Sequence, residues 1–340
     1  MAITYNSVNY RGKAAEPIVE ELLFENATIA KALVTFEEDV KAETIFTEAT
    51  ATATLQAYTS GVPTSAGSLT AFDVAVTPTK VQFYQEFDPN TLRFSRFKRD
   101  MKPGAWEIMS SEFEQLVIGG LYAKQISNAF ENEFWNGATS ATKTAVAALT
   151  AGTGNTSVGA AEKTKVAALA AAQIDGILVK MIYNDSNATA TAGVGTRIKV
   201  AGTTLTAAVL KVELDKVYAA IPAATLNATE KPSLYLPRSV KQMIVQANNV
   251  TTDYTKPFDA DASYENIYFN GLKCEFVPLP ENVVIASLKS HLIWATDLAS
   301  DVNVMQLDKI ALNREDMFLK NNMTLAAHVV NQKFNVLYVG

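Results

Sequence analysis

Residues able to do chemistry are few in this chain, and their spacing is poor. There are two histidines, His291 and His328, too few to supply a histidine-based zinc site or a catalytic triad. No H-E-x-x-H, C-x-x-C, G-x-S-x-G or phosphate-loop pattern occurs. Gly193-Val194-Gly195 lacks the third glycine of a dinucleotide fingerprint and reads as a turn. Asp259-Ala260-Asp261-Ala262-Ser263 has the opening spacing of a calcium loop. It then puts Tyr264 where the glycine belongs and Asn270 where the closing acid belongs. Asp259 and Asp261 are therefore only weak metal candidates. His328 stands among Ala326, Ala327, Val329 and Val330 as a core histidine would, and Cys274 lies in an apolar run as an inert thiol. No catalytic residue and no cofactor site is read, so an enzyme is not expected.

Two charged stretches remain. Arg93, Arg96, Lys98, Arg99 and Lys102 form a basic cluster with Phe94 and Phe97 between them. It fits either contact with nucleic-acid phosphates or ion pairs with carboxylates of the same or an adjacent subunit. The net charge of −6 favours the ion pairs. The second stretch is the acidic loop 251–263, with Asp253, Asp259 and Asp261.

The elements that must position these residues are clearer. The stripe Trp106, Met109, Phe113, Leu116, Gly120, Ala123, Ser127, Phe130 and Phe134 predicts one long helix over 105–136. Pro103 stands where it can begin and Gly137 where it can end. Gly119-Gly120 predicts a bend or a close backbone contact in its middle. Before it, Ala49, Ala51, Ala53, Leu55 and Ala57 alternate with Thr50, Thr52, Thr54, Gln56 and Tyr58. A turn-rich segment, Ser60 to Ser68, follows, and a second extended run, Leu69 to Glu86, returns past Pro78. These predict a long two-stranded arm with weakly apolar faces. Such an arm is marginal alone in water and calls for support from another subunit.

Elsewhere, residues 16–33 predict a helix and residues 138–163, rich in Ala, Thr and Gly, a poorly specified loop. Residues 165–183 predict one helix, 188–202 a hairpin, and 206–221 a helix stopped by Pro222. A strand at 233–236 and a helix at 239–249 follow, and strands dominate from Tyr268 onward. No repeat of 20–50 residues is read. The 340 residues have room for two or three compact units, and 48% hydrophobic against 19% charged residues fits a globular core. The single cysteine excludes an intrachain disulfide and fits assembly in a reducing cytoplasm. No apolar run reaches membrane-spanning length, and the N-terminus has no signal-peptide pattern.

This order of elements resembles the major capsid protein of tailed bacteriophages, the HK97-like fold. The local wording agrees. VAVTPTKVQFYQEF, before a helix ending NAFENEFWNG, resembles the extended-loop strand leading into the spine helix. LKVELDKVYAAIP, SLYLPRSVKQMIV and YFNGLKCEFVPLPENVVIAS resemble the axial domain. WATDLASDVNVMQLD and NREDMFLKNNMTLAAHVV resemble the strands that return to the spine.

The resemblance implies an α+β chain: an N-terminal arm (1–40), an extended loop (41–90), a peripheral domain with the spine helix (91–137 with 290–340) and an axial domain (138–289). It implies self-assembly into hexamers and pentamers of an icosahedral shell around double-stranded DNA, in the host bacterial cytoplasm. Scaffolding, portal and decoration proteins are implied partners. Thr50, Thr52, Thr54, Tyr58, Gly61, Pro63 and Phe72 would make intersubunit contacts, and the 251–263 loop would point toward a capsomer axis. Lys80 would lie in the extended loop, where some members cross-link. An encapsulin-type compartment with enzyme cargo is a second reading of the same fold. An unrelated enzyme or binding module with a β-arm is a third.

Overall fold

The computed structural model describes residues 8–9, 28, 31–41, 43–58, 60–62, 64–87, 123–183, 197–250, 256–261, 263–297, 305–310 and 316–340. In chain order the elements begin with β1 (Val8–Asn9), β2 (Thr35–Glu37), β3 (Thr44–Ala53), β4 (Gly67–Val76) and β5 (Thr79–Phe87). Four helices follow: α1 (Ala123–Asn136), α2 (Ser140–Ala148), α3 (Ala160–Ala168) and α4 (Ile177–Ile182). Then come β6 (Ile198–Ala201), α5 (Leu210–Ala220), α6 (Ala223–Leu226), β7 (Ser233–Pro237) and α7 (Val240–Val250). The chain closes with β8 (Asp259–Ala260), β9 (Ile267–Phe269), β10 (Leu272–Val277), β11 (Val283–Ser287), β12 (Leu292–Ala295), β13 (Met305–Lys309), β14 (Met317–Val329) and β15 (Val336–Val339).

Among the described residues these strands make three sheets. A six-stranded sheet runs β1-β13-β14-β12-β2, with β5 also paired to β14. A seven-stranded sheet runs β6-β15-β11-β7-β10-β9-β8, and β3 pairs with β4 in a sheet of two. Period-two patterning explains how the first two share a core. In β14, Leu319, Met323, Leu325 and Val329 are buried while Asn322 is exposed. In the seven-stranded sheet both faces are covered. Tyr235, Val283, Ile285, Leu337 and Val339 join the core shared with α1, α4 and β14. Leu234, Leu236, Val284, Ala286, Val336 and Tyr338 join a second core with α5 and α7. Burial on both faces is why SLYLP, VVIAS and VLYV read as unbroken apolar runs.

Helix α1 is the described end of the long helix expected over 105–136. Pro103, Gly119 and Gly120 lie outside the described residues. Ile126, Phe130 and Phe134 form its buried stripe. The Phe134 ring stacks on Trp294 at 4.4 Å, and Trp135 packs on Tyr235 at 5.2 Å. The helix end is clamped by Gly137 and Gly176. A Cβ on Gly176 would meet the carbonyls of Glu133 and Phe134 at 2.6 Å, and Gly176 donates to Gly137 O at 2.9 Å. Only glycine allows that approach.

Four expectations are corrected. Residues 138–163 hold α2 and the start of α3, where a loop was expected. An internal repeat is present after all: Lys143-Thr144-Ala145-Val146-Ala147-Ala148-Leu149 returns as Lys163-Thr164-Lys165-Val166-Ala167-Ala168-Leu169. The two copies cap each other. Lys143 Nζ donates to Leu169 O and Lys163 Nζ to Leu149 O, both at 2.5 Å. Each lysine thus satisfies a carbonyl at the other helix's C-terminus, where a cation is also favoured by the dipole. The single helix expected over 165–183 is two, α3 and α4, with Asp175 between them. Its carboxylate accepts from Thr139 N at 2.8 Å and Thr142 Oγ1 at 2.6 Å, a capping role that a helix interior would deny it.

Finally, the returning strand of the arm is not continuous to Glu86. The arm pairs β3 with β4, and β5 joins β14 in the body over nine residue pairs, from Met317–Phe87 to Leu325–Thr79. Pro78, without an N–H, stands at the break. Val81, buried, follows it into the body. Lys80 therefore lies opposite Thr324 in the body sheet rather than in the arm.

Candidate functional site

The arm is the feature that the core does not explain. Its ladder runs from Thr44 opposite Val76 to Ala53 opposite Gly67. Ten residues at about 3.3 Å each make a shaft of roughly 33 Å. Local polar bonds hold its register. Thr47 Oγ1 donates to Asp73 Oδ1 at 2.6 Å, and the Thr52 and Ser68 hydroxyls are 2.7 Å apart. At the tip Thr54 N donates to Ala66 O at 3.0 Å and Gln56 Nε2 to Thr64 O at 2.6 Å. Gly67 permits the close crossing, because a Cβ there would lie 2.7 Å from Thr52 O. The root is apolar: Val40, Val76 and Phe46 pack with Ile293, Ala295 and Ala326 of the body.

Along its length the arm carries large apolar side chains that are mostly solvated in the subunit. Leu55 is 102% exposed, Val62 98%, Tyr58 94%, Leu69 74% and Ile45 59%. Large solvated side chains on one narrow projection make the arm a candidate contact surface. Of the residues expected to make intersubunit contacts, Thr50 and Phe72 sit on the ladder opposite Thr70 and Glu48. Thr52, Thr54 and Tyr58 are exposed along the shaft and tip. Gly61 has open space around it, and Pro63 lies outside the described residues. Sequence reasoning missed Ile45, Leu55, Val62 and Leu69 as contact residues, although the apolar letters were there to be read.

The charged candidates divide differently. Arg93, Arg96, Lys98, Arg99, Lys102 and Asp253 lie outside the described residues. Asp259 opens β8 opposite Tyr268. Asp261 closes its own loop. Its carboxylate accepts from Glu265 N at 2.9 Å, Asn266 N at 3.2 Å, Asn266 Nδ2 at 3.1 Å and Ser263 Oγ at 3.2 Å. Those donors, led by the Glu265 amide, hold its carboxyl below the usual carboxylate range. In the subunit the Asp261 carboxylate is thus taken up by donors of its own loop. Among the described residues no group of three or more His, Cys, Asp and Glu could hold a metal ion.

His291 and Cys274 are held within the fold. His291 Nδ1 lies 2.9 Å from Asn335 Oδ1, which also accepts from Ser287 Oγ at 3.0 Å. Cys274 is buried, and burial pushes its thiol up to about 12, out of the nucleophilic range. No described helix is long and apolar enough to cross a membrane.

No protein-family model matches the sequence. No curated protein matches it either. Solved structures do. A chain of the satellite phage P4 procapsid, solved with its size determination (Sid) protein, superposes with a TM-score of 0.56 at 11% identity. That match covers 98% of this chain and 93% of the other. The capsid of Myoviridae phage XM1 matches with a TM-score of 0.53 at 8% identity, over 100% and 95% of the two chains. The capsid of an empty GTA particle matches with 0.52 at 11%, over 99% and 93%. The mixed helix-and-sheet fold of this chain is therefore the fold of phage capsid structures, along nearly its whole length.

Proposed function

We propose that this chain, whose fold is that of phage capsids, is the shell-forming major capsid protein of a tailed bacteriophage and not an enzyme. The observation that carries this is the arm: a ladder rooted in the body, with its apolar tip in water. In this reading the arm is the extended loop of an HK97-like subunit, and its tip lies on a neighbouring subunit. Residues 1–40 form the N-terminal arm. Helix α1 with β12, β13 and β14 forms the peripheral domain (91–137 with 290–340), whose sheet borrows β1 and β2 from the N-terminal arm and β5 from the 41–90 segment. The seven-stranded sheet with α5 and α7 forms the axial domain (138–289), which borrows β15 from the C-terminal segment.

Copies arrange as hexamers and pentamers that close an icosahedral shell around double-stranded DNA in the host bacterial cytoplasm. Scaffolding, portal and decoration proteins are the partners such a shell needs. The basic cluster 93–102 is assigned to ion pairs within or between subunits in preference to DNA, since the chain is acidic overall. The 251–263 loop is assigned to the capsomer axis.

The physical logic is additive. Burying one Leu, Tyr or Val side chain contributes about 1.5–3 kcal/mol. A single arm therefore binds weakly, while a ring of arms binds through effective concentration. The triple variant Leu55→Ser, Tyr58→Ser, Val62→Ser should keep the melting temperature of the unassembled chain within about 2 °C, because those side chains are solvated in it. It should abolish particles in electron micrographs. Normal particles from the triple variant would refute the assignment of the tip.

A further inference from the structure

We propose that the joint between arm and body is an acid-sensitive latch, closed by the neutral ring of His328 and opened when that ring takes up a proton. Packing geometry brings the arm onto this histidine. His328 lies in β14 directly opposite Ile293 of β12. Its ring stacks on Phe46 of β3 with centroids 5.8 Å apart and planes 22° off parallel. Phe46 is the inward side chain at the arm's root, and it packs with Val40, Val76, Ile293, Ala295 and Ala326. Among the described residues, the aromatic contact that joins this root to the body sheet is thus made by a titratable ring in an apolar pocket.

The pocket offers a proton no welcome. His328 is 8% exposed, and its buried Nε2 has no hydrogen-bond partner among the described residues. From α4, the Lys180 ammonium opposes a second positive charge. From β2, Glu37 shares the sheet face, but it stands two strands away and one row over, opposite Ala295. From β12 and β4 the neighbours Ile293 and Val76 are neutral. Along β3, Glu48 follows two residues after Phe46. Asp39 and Lys41 pair with each other at the solvent rim, where Asp297 also acts on Lys41. Glu37, Asp39 and Asp297 make no hydrogen bond to His328 Nε2 among the described residues. Burial, then Lys180, holds the ring's pKa down at about 4, against 6.5 for an ordinary histidine.

A lowered pKa in the closed joint means that the open joint binds the proton better. The joint is closed at neutral pH and loses stability as pH falls from 6.5 toward 4, by up to about tenfold in the opening equilibrium per pH unit. Opening frees Phe46 and with it the angle of the whole arm. The latch belongs to the single subunit and operates whether or not copies assemble.

The test is amide hydrogen exchange on the unassembled full-length chain between pH 7 and pH 4, corrected for intrinsic rates. The reporters are Asp39 N, bonded to Asp297 O, and Val40 N, bonded to Thr296 O. Their protection should fall about a hundredfold over that range while the amides of α4 and β11 hold. His328→Phe keeps an aromatic on Phe46 and should remove the pH dependence. Lys180→Met should shrink it, because the closed-state pKa moves back toward the ordinary value. The wild-type ring itself should titrate near 4 by NMR, which needs no variant to fold. Root amides that stay protected at pH 4, an equal acid response in His328→Phe, or a ring titrating near 6.5 would each overturn the proposal.

Discussion

Excising residues 48–72 and joining Thr47 to Asp73 through Asn-Gly should yield a folded chain that makes no particles. The design follows the ladder. Thr47 and Asp73 are cross-strand partners, and Thr47 Oγ1 donates to Asp73 Oδ1 at 2.6 Å. A two-residue Asn-Gly turn suits such a pair. The root residues Val40, Phe46 and Val76 stay, so the packing against Ile293, Ala295 and Ala326 survives. What is lost is shaft and tip, including the solvated side chains of Leu55, Tyr58, Val62 and Leu69, which add little to the isolated subunit. Chemical denaturation should therefore report a change under about 1 kcal/mol. Sedimentation should find only subunits and small oligomers where the intact chain should give fast-moving particles. A large stability loss would mean that the arm is part of the subunit's own core. Intact particles would mean that it is dispensable.

The largest stability effect belongs to Arg197. Its side chain is fully buried, and its Nη2 donates to both oxygens of Glu162 at 2.7 Å. Nη1 reaches Asn155 O at 2.9 Å and Nη2 reaches Ser157 O at 3.2 Å, so one guanidinium ties the 149–159 connection to β6 and α3. Glu162 also accepts from Gly159 N at 2.6 Å, closing the first turn of α3. Arg197→Met would leave the Glu162 carboxylate, 1% exposed, with Lys199 at 3.5 Å as its remaining cation among the described residues. A buried charge stripped of its partner costs about 3–5 kcal/mol at neutral pH. Adding Glu162→Gln to Arg197→Met should recover part of that loss, since the uncompensated charge goes with it. A loss under about 1 kcal/mol for Arg197→Met alone would contradict this account of the pair.

The arm was legible because alternation of Ala and Thr from Ala49 to Tyr58 has no helical reading. Its limits were not, because small residues fix register weakly and the pairing of β5 with β14 depends on partners more than 200 residues away. The strands of the seven-stranded sheet were legible as apolar runs, but the place of β15 between β6 and β11 is a tertiary fact. Helices α2 and α3 were readable and were missed. Alanine-rich sequence passed for a featureless loop, although alanine is the best helix former and Lys143-Thr144 recurs as Lys163-Thr164. Asp175 needed the structure, since its donors come from the start of α2. Asp261 also needed the structure, since the amides of Glu265 and Asn266 that it accepts from follow it in its own loop. The tip's apolar letters could be counted, but only the structure shows that Leu55, Tyr58 and Val62, beyond the end of the ladder, are solvated.

The most direct test of the proposed shell-forming role is the mass and symmetry of what the chain forms when expressed alone and with the proposed scaffolding partner, measured by light scattering and cryo-electron microscopy. The account predicts closed icosahedral particles built of hexamers and pentamers, with the 44–76 arm of each subunit resting on a neighbour and the 251–263 loop near the capsomer axis. A chain that stays monomeric or forms only a small oligomer in both conditions, with Leu55, Tyr58 and Val62 still in solvent, would contradict it.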